Sequence, residues 1–323
     1  MHEITYAEAL REAMREEMAR DENVIAFGID VVLGFLSGVT RGLIDEFGKD
    51  RVRDTPICEQ SIIGLAVGAS IMGMRPVPEI QFNDLITLCM DQIVNQAAKL
   101  RYMSGGNLSV PVTIRTCCGI LGSGAAQHSQ NLEAWFIHVP GLTVVAPSTP
   151  AEAKGLLKSS IRDNNPVLFF ENKRLYTQKG QVPDDNYIIP LRKANIVKSG
   201  SDVTLISWGY MLQEVNAAAE FLQKEGIEAE IIDLRTLSPL DKRTMLDSVR
   251  KTNRVVIIEE GCRTGGVGAE VSAIIAEEAL ENLDAPIKRV AAMDTPIPFS
   301  PSLENYVLPN KETVLKAVRE IMH

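Results

Sequence analysis

The sequence predicts an α/β protein with two domains, each a mostly parallel β-sheet flanked by helices. A length of 323 residues exceeds what one hydrophobic core usually supports. Hydrophobic residues make up 45% of the chain, which is enough material for two cores. Short apolar runs of strand type alternate with helical periodicity almost throughout, and this alternation is typical of helices layered on a parallel sheet.

In the first half, helical segments and strand-like runs follow one another in a regular order. Thr5–Arg20 is amphipathic and charged, and Thr149 caps the helix that follows it. The predicted elements are helix Thr5–Arg20, strand Val24–Phe27, helix Ile62–Met72, strand Val77–Phe82, helix Leu88–Tyr102, strand Val112–Thr116, helix Asn131–Ile137, strand Leu142–Ala146, helix Thr149–Ile161 and strand Val167–Glu171. A glycine-rich loop over Gly119–Gly124 precedes the helix Asn131–Ile137.

Periodicity stops between Tyr176 and Arg192, where QKGQVPDDNYIIPLRK is polar and holds two prolines. This change predicts a first domain of residues 1–180, a linker of residues 181–195 and a second domain of residues 196–323. Beyond the linker, DVTLISWG, AEIIDLR and RVVIIEE are strand-like, and helices are predicted over Leu212–Glu225 and from Val267 onward. The second domain is therefore expected to be a smaller βαβ unit.

Composition excludes several classes of protein. The formal net charge is −9 and no five like charges run together, so neither nucleic acid nor an anionic membrane is expected as a partner. No run of roughly 18 apolar residues occurs, and the charged N-terminal helix lacks the apolar core of a signal peptide. Metal-ligand spacing is absent from the cysteines, which are Cys58, Cys89, Cys117, Cys118 and Cys262. We expect an untargeted protein of the reducing cytoplasm.

The segment DTPICEQSIIGLAVGASIMG, residues 54–73, places one carboxylate, Glu59, at the start of an apolar run. No charge follows between Ser61 and Gly73, and small residues keep the run thin, which predicts a buried helix packed closely against other backbone. A carboxylate there has a large desolvation cost unless it has a partner. One interpretation is a first-turn carboxylate stabilised by the helix dipole. The apolar surroundings favour the other, a carboxyl group that exchanges a proton.

His128 lies in GSGAAQHSQNLEAW, after glycines and before a predicted helix. A histidine on such a loop can transfer protons in a reaction. It can also be an ordinary loop residue that hydrogen-bonds to backbone, and spacing alone favours this second interpretation.

A second glycine-rich run, GCRTGGVGAEVSAII over Gly261–Ile275, precedes a predicted helix, as phosphate-binding loops do. It lacks the GxGxxG register directly after a strand, so a structural turn is favoured. The chain contains no P-loop motif and no Gly-Asp-Gly segment of the metal-diphosphate type.

Several blocks occur together in one order: DTPICEQSIIGLAVGASIMGMRPVPEIQF, MDQIVNQAAKLRYMSGG, GAAQHSQNLEAWFIHVPGLTVVAPSTPAEAKGLL, SSIRDNNPVLFFENK, DLRTLSPLD, EEG and TPIPFSP. In these blocks the chain resembles β subunits of the E1 component of thiamine-diphosphate-dependent 2-oxo acid dehydrogenases, of the pyruvate and acetoin dehydrogenase type. The resemblance covers essentially the whole chain. It implies a transketolase-like pyrimidine domain followed by a C-terminal transketolase domain.

The resemblance also implies an activity and two catalytic residues. With an α subunit, such an oxidoreductase decarboxylates pyruvate or a similar 2-oxo acid, or cleaves acetoin, and passes the acyl unit to the lipoamide of E2. Glu59 matches the glutamate that hydrogen-bonds N1′ of the cofactor's aminopyrimidine and favours the 4′-imino tautomer that deprotonates C2. His128 matches a loop histidine that faces the reacting carbon and assists proton transfer.

Gln81 and Leu85 match positions that line the cofactor and substrate pocket of this family. The position of Leu85 is usually aromatic in relatives, which puts stacking on the pyrimidine in question. Ile29 replaces an acidic residue that the family places near the pyrimidine, which puts a proton path between paired active sites in question. Asp30 is a partial substitute for that acid.

The segment SSIRDNNP, together with one upstream position, resembles a site where backbone carbonyls of this family hold a potassium ion. The matched positions are Val112, Ser160, Ile161, Asp163 and Asn165. Carbonyl ligands suit a hard cation. A helix C-terminus followed by a turn explains the same residues, and both interpretations stay open.

The absent Gly-Asp-Gly segment fits the two-chain members of the family, in which the α subunit holds Mg2+ and the diphosphate. The resemblance therefore implies an E1 α partner in an α2β2 heterotetramer, and an E2 lipoyl acyltransferase that docks on the C-terminal domain. The helix face with Gly64 and Gly68 is expected at a subunit contact, and close packing inside one domain is the alternative. Two other functions stay open: a noncatalytic regulatory or scaffold paralogue, which Ile29 and Leu85 favour, and a split transketolase-type enzyme.

Overall fold

The alternation of apolar strands and helices builds two units, each around its own sheet. A computed structural model describes residues 1–34 and 37–322. The first unit comprises Met1–Cys118 and Trp135–Leu191, and the second comprises Gly119–Ala134 and the chain from Arg192 onward. The loop that carries His128 thus belongs to the second unit, although it lies between two segments of the first in sequence. The predicted domain limits of residues 180, 181–195 and 196 stay a prediction.

The strands and helices have the following bounds. The strands are β1 His2–Thr5, β2 Val24–Gly28, β3 Val52–Asp54, β4 Arg75–Ile80, β5 Thr113–Cys118, β6 Thr143–Val145, β7 Val167–Asn172, β8 Lys179–Val182, β9 Asn195–Lys198, β10 Val203–Ser207, β11 Ala229–Asp233, β12 Thr236–Ser238, β13 Val255–Cys262 and β14 Lys288–Ala292. The α-helices are α1 Tyr6–Arg20, α2 Leu43–Phe47, α3 Glu59–Ile71, α4 Ala98–Met103, α5 Glu133–Ile137, α6 Pro150–Arg162, α7 Met211–Lys224, α8 Lys242–Thr252, α9 Val267–Glu278, α10 Pro301–Val307 and α11 Lys311–Met322. Short 3-10 helices span Asn83–Cys89, Lys173–Leu175 and Leu280–Asn282, and a π-helix spans Gln92–Ala97.

The central sheet of the first unit is parallel, with neighbouring strands in the order β6-β7-β5-β4-β2-β3. Every residue of β5 and β7 is buried, because both faces of such a sheet are covered. The carboxyl ends of parallel strands meet at one edge of the sheet, and loops at this edge commonly carry binding sites.

One buried cation joins the middle strands of this sheet. Arg115 of β5 is 1% exposed, and its guanidinium donates to both carboxylate oxygens of Glu171 on β7, at 2.6 and 2.9 Å. It also donates to Glu79 of β4 at 2.6 Å. Two carboxylates on opposite neighbouring strands therefore compensate the buried charge of Arg115.

Helices α1 and α6 pack against each other through charged residues that face inward. Lys154 of α6 is 2% exposed and binds Glu12 and Glu16 of α1 at 2.8 and 2.7 Å. Lys158, one turn further on, is fully buried and contacts Glu16 and Asn186. The capping box at Thr5 and Glu8 fixes the start of α1.

The polar segment after β7 is ordered and packs on the first unit. Strand β8 pairs antiparallel with β1, and the chain beyond it crosses α6 at Gly155. The Ile189 N–H donates to the Gly155 carbonyl at 3.2 Å, and the Ser159 hydroxyl donates to the Ile189 carbonyl at 2.5 Å. A glycine is needed at position 155 because a Cβ there would lie 2.6 Å from Cγ1 of Ile189 and 2.8 Å from Cε2 of Tyr187.

The second unit has a five-stranded sheet in the order β14-β13-β10-β11-β9, in which only the edge strand β9 runs antiparallel to its neighbour in the described chain. Alternate strand residues such as Val203 and Leu205 pack with α7 and α11 in one buried cluster. Thr204, on the opposite face, hydrogen-bonds to Ser248 and Thr252 of α8 at 2.7 Å. Helices thus cover both faces, and the predicted α/β architecture is confirmed in both units.

Two predicted helices differ from the structure. Helix α3 was expected to be buried, but Leu65 is 58% exposed and a Cβ at Gly68 would meet nothing within 4 Å, so one face of this apolar helix is open in the single chain. The predicted helix Leu88–Tyr102 is a succession of 3-10, π and α turns. Thr87 hydrogen-bonds back to the Asp84 carbonyl at 3.0 Å, and such local bonds compete with regular α-helical winding.

The two helical glycines give a matched test of packing. We expect Gly155→Ala to lower the free energy of unfolding by about 1–3 kcal/mol, because its Cβ would overlap the segment Tyr187–Ile189. Gly68→Ala should raise the stability of the isolated chain by up to about 1 kcal/mol, because alanine favours the helix and the space is open. Chemical denaturation of both variants checks this. Equal effects would mean that Gly155 does not make the close approach described here.

Candidate active site

Glu59 is the first residue of α3 and lies at the carboxyl edge of the first sheet. The chain reaches it from β3 through Thr55, whose N–H donates to the carbonyl of Gly28 at the end of β2, at 2.9 Å. Glu59 is 5% exposed. Across residues 1–34 and 37–322, no hydrogen bond or ion pair reaches its carboxylate. The residue is therefore largely buried, and its carboxylate has no partner among the described residues apart from the dipole of its own helix.

Two thiols lie on either side of this carboxylate, and the sequence interpretation assigned them no role. Cys58 directly precedes Glu59 and is exposed, and its Sγ lies 3.1 Å from the Ser61 hydroxyl. Hydrogen bonds from the Ser61 side chain and backbone lower the pKa of Cys58. Cys89 is buried, and burial raises its pKa to about 12, with a further contribution from the charge of Glu59. Cys58 is the more reactive of the two.

Gln81 and Leu85 lie on the segment against which α3 packs. Gln81 follows β4, and its side-chain N–H donates to the Ile29 carbonyl at 3.1 Å. The backbone carbonyl of Gln81 accepts from the Cys117 thiol at 2.5 Å. Leu85 is half-buried in the 3-10 helix Asn83–Cys89. These contacts hold both residues at the same edge of the sheet as Glu59.

More polar atoms at this edge are buried without a partner. They are Thr55 Oγ1, Thr116 Oγ1 and Gln92 Oε1. Thr116 lies opposite Ile80, the last residue of β4, and Gln92 begins the π-helix that packs on α3. Native proteins satisfy most buried polar groups, so each of these three atoms is a candidate contact for a ligand or a water molecule. Insertions of π-type also occur mostly at functional sites.

Ile29 and Asp30 form a turn beyond β2 at the same edge. Ile29 is 9% exposed, whereas Asp30 is exposed and has a φ of +54°. The substitution of Ile29 for an acidic residue therefore gives an apolar wall. The orientation of Gln81 does not depend on it, because the Ile29 backbone accepts the hydrogen bond.

His128 is exposed on the loop Gly119–Ala134 of the second unit. The backbone N–H of His128 donates to the Ala125 carbonyl at 3.4 Å, and Ser123 and Ala125 both have φ of +57°. The Gly119 N–H donates to the Gln130 carbonyl at 3.0 Å and closes the base of the loop. The structure thus places Gln81 and Leu85 on the segment that packs against α3, the helix that begins at Glu59, and it places His128 on a loop of the second unit.

The segment matched to a potassium site already receives a cation from its own chain. Arg75 donates to the carbonyls of Ile161 and Asp163 at 2.9 and 3.1 Å. The Val112 carbonyl accepts from the Val167 N–H at 2.9 Å, and the Ser160 carbonyl accepts from the Asp163 N–H at 3.2 Å. The Asn165 N–H donates to the Asp163 carboxylate at 2.8 Å. The helix C-terminus and turn explain these positions without an ion, and potassium stays a prediction.

The glycine-rich run Gly261–Ile275 is a structural turn. The carboxylate of Glu259 accepts from the Gly268 N–H at the start of α9, at 3.0 Å, and binds Arg289 at 2.8 Å. Burial raises the pKa of Glu259, and Arg289 and the helix N–H groups oppose this effect. An anion of the chain itself therefore occupies the helix N-terminus where a phosphate would otherwise bind.

Metal-ligand clusters and membrane-spanning helices are both absent from the described residues. No group of three or more His, Cys, Asp or Glu side chains in residues 1–34 and 37–322 is arranged to hold a metal ion. Within the same residues, no helix combines the length and apolar character that crossing a membrane requires.

Two transketolase family profiles match the chain. One is described as transketolase, pyrimidine binding domain, and covers residues 2–179. The other is described as transketolase, C-terminal domain, and covers residues 192–314. Among solved structures, a split gene transketolase, described as an inactive beta4 tetramer, matches with a TM-score of 0.83 at 22% identity, over 99% of this chain and 98% of the other. This similarity concerns the fold alone.

Curated relatives are similar over nearly their whole length. The subunit beta of acetoin:2,6-dichlorophenolindophenol oxidoreductase from Bacillus subtilis is 45% identical, over 99% of this chain and 97% of the relative. The 2-oxoisovalerate dehydrogenase subunit beta of the same organism is 45% identical, over 99% of both chains. The pyruvate dehydrogenase E1 component subunit beta of Staphylococcus epidermidis is 47% identical, over 99% and 98%. The chain therefore belongs to the transketolase-like family of E1 β subunits.

Proposed function

We propose that this chain is the E1 β subunit of a thiamine-diphosphate-dependent dehydrogenase. With an α subunit it decarboxylates pyruvate or a similar 2-oxo acid, or cleaves acetoin, and passes the acyl unit to the lipoamide of E2. The observation that carries this proposal is the carboxylate of Glu59, which is 5% exposed and has no partner within the described chain. A buried carboxylate of this kind fits a ligand that brings its own proton.

The residues at the carboxyl edge of the first sheet fit the pyrimidine half of the cofactor. Glu59 would hold the proton that it shares with ring nitrogen N1′. Gln81 is fixed by Ile29 and Cys117, and its side-chain oxygen stays available as an acceptor. Leu85 would contribute an apolar surface where relatives have an aromatic ring. When bound, thiamine diphosphate supplies a thiazolium that stabilises negative charge on the substrate's carbonyl carbon.

His128 would be the second catalytic residue. An imidazole exposed on a loop can donate or accept a proton at a substrate oxygen near neutral pH. We propose that it assists proton transfer and steadies the acyl group until transfer to lipoamide. The glycines and positive φ values of the loop permit the tight turns that present this side chain.

An E1 α partner explains the open face of α3. Leu65 is 58% exposed, Ile57 before the helix is 80% exposed, and Gly64 and Gly68 leave shallow surface between them. An apolar surface of this kind is typical of a subunit contact. We propose an α2β2 heterotetramer in which α holds Mg2+ and the diphosphate, with E2 docked on the C-terminal unit. Potassium at the Asp163 turn and location in the cytoplasm remain predictions.

The choice of substrate is open among three chemical classes. The relatives are named for acetoin, 2-oxoisovalerate and pyruvate, at nearly equal identity to this chain. Pocket width depends on residues of both subunits. Turnover of the reconstituted enzyme with each of these compounds, with an artificial electron acceptor, distinguishes the classes. A noncatalytic paralogue, for which the apolar Ile29 is the specific observation, would turn over none of them.

Glu59→Gln gives the sharpest test of the site. In a mixture of this chain, an α subunit, thiamine diphosphate and Mg2+, we expect turnover to fall about 100-fold or more, because the amide keeps the shape but cannot carry the proton. Glu22→Gln, at an exposed position of the same unit, is the matched control and should keep parental turnover. Activity of Glu59→Gln within a few-fold of the parent would exclude the proposed role.

His128→Ala should separate acyl transfer from cofactor binding. We expect a loss of about 100-fold in lipoamide acylation with little change in the dissociation constant of thiamine diphosphate, measured by calorimetry, because the loop histidine acts on the substrate. His138→Ala, at another exposed histidine, is the control. If both quantities fell equally in His128→Ala, the residue would be part of the cofactor site instead.

A further inference from the structure

Two buried carboxylates of the second unit hold the loop that carries His128. The Ile120 N–H donates to Glu260 of β13 at 3.4 Å. The Ser123 N–H donates to Glu304 of α10 at 3.3 Å. Ile120 also packs with Ala292, Ile297, Val307 and Leu308 in an apolar cluster. Packing and Glu260 thus fix the entry to the loop, whereas the bond to Glu304 lies further along, in the turn that leads to His128.

The burial of Glu304 has a free-energy cost that packing at this position does not require. It is 3% exposed, and no hydrogen bond within the described residues reaches its buried Oε1. A buried carboxylate with a free oxygen is destabilising relative to an amide or an apolar side chain of similar size. Its carboxylate accepts the Ser123 N–H at 3.3 Å, and this is the one hydrogen bond that the carboxylate makes within the described residues. The residue therefore fits a position where this contact matters.

A displacement of Ser123 would pass directly to His128. The turn folds back closely, so that a Cβ at Gly124 would lie 2.7 Å from the Ser129 hydroxyl and 3.3 Å from the His128 carbonyl. Gly124 on one side of the turn thus packs against His128 and Ser129 on the other. A shift of the backbone at position 123 would move Gly124, its direct neighbour, and through it the residue that bears the imidazole.

From these contacts we infer that Glu304 is a positioning residue of the active site. Its carboxylate holds the Ser123 N–H and so fixes the turn from which His128 is presented. The inference rests on the role proposed for His128 above, and it extends that role to a residue about 180 positions away in sequence. In this proposal Glu304 acts through the loop and not by contact with substrate or cofactor.

The test measures the loop directly in the assembled α/β enzyme. We expect Glu304→Ala to speed amide hydrogen exchange of peptides over residues 119–130 about tenfold, and Glu304→Gln to give a smaller increase, because loss of a charge-assisted bond frees the turn. The kcat for lipoamide acylation should fall about tenfold in Glu304→Ala with little change in KM. Glu312→Gln, the same kind of change at an exposed glutamate of α11, should alter neither quantity.

Two results would overturn the inference: parental exchange in Glu304→Ala, or a loosened loop with parental kcat. If Glu304→Ala fails to assemble, Glu304→Gln and Glu304→Asp decide by the same two measurements, with the thermal midpoint as a check of folding. Failure of the proposed function would show separately, as parental acylation in His128→Ala with normal exchange in the loop.

Discussion

A carboxylate that is almost fully removed from water and has no donor within the described chain is the constraint from which the rest of the site follows. Burial of Glu59 costs free energy unless a proton or a cation compensates it. The apolar helix α3 maintains that burial, and the backbone bond of Thr55 to Gly28 places the start of the helix at the edge of the sheet. Nothing in the stability of the single chain requires an acid here. A ligand explains its presence.

Hydrogen bonds between side chains and backbone groups hold this edge of the sheet and the loop of His128 in place. Gln81 is oriented by the Ile29 carbonyl and fixed by the Cys117 thiol. This arrangement tolerates a change of side chain at position 29, because the carbonyl is present whatever residue stands there. The apolar Ile29 therefore alters the polarity of the wall without disturbing its framework. In the loop of His128, backbone N–H groups are likewise held by side chains, those of Glu260 and Glu304.

Much of the fold was predictable, because strands rich in apolar residues alternate along the chain with segments of helical periodicity. Glu59 was predictable as an anomaly, a single charge in front of an apolar helix. The open face of α3 was not, because hydrophobicity does not distinguish a domain core from a subunit contact. The mixed winding after Phe82 depends on local bonds of Asp84 and Thr87. Glu304 carries no local sequence signal, since its partner lies at a distance that only the tertiary fold closes.

The pairing of Glu259 with the first turn of α9 has a consequence for selectivity. Because the chain itself supplies this carboxylate, it is present whatever ions the solution contains. The entropy lost in ordering it is lost once, during folding. A mobile anion such as sulfate or a phosphorylated metabolite would have to displace both this carboxylate and its bond to Arg289. The N-terminus of α9 is thus closed to anions from solution. Any recognition of substrate charge must come from elsewhere in the assembly.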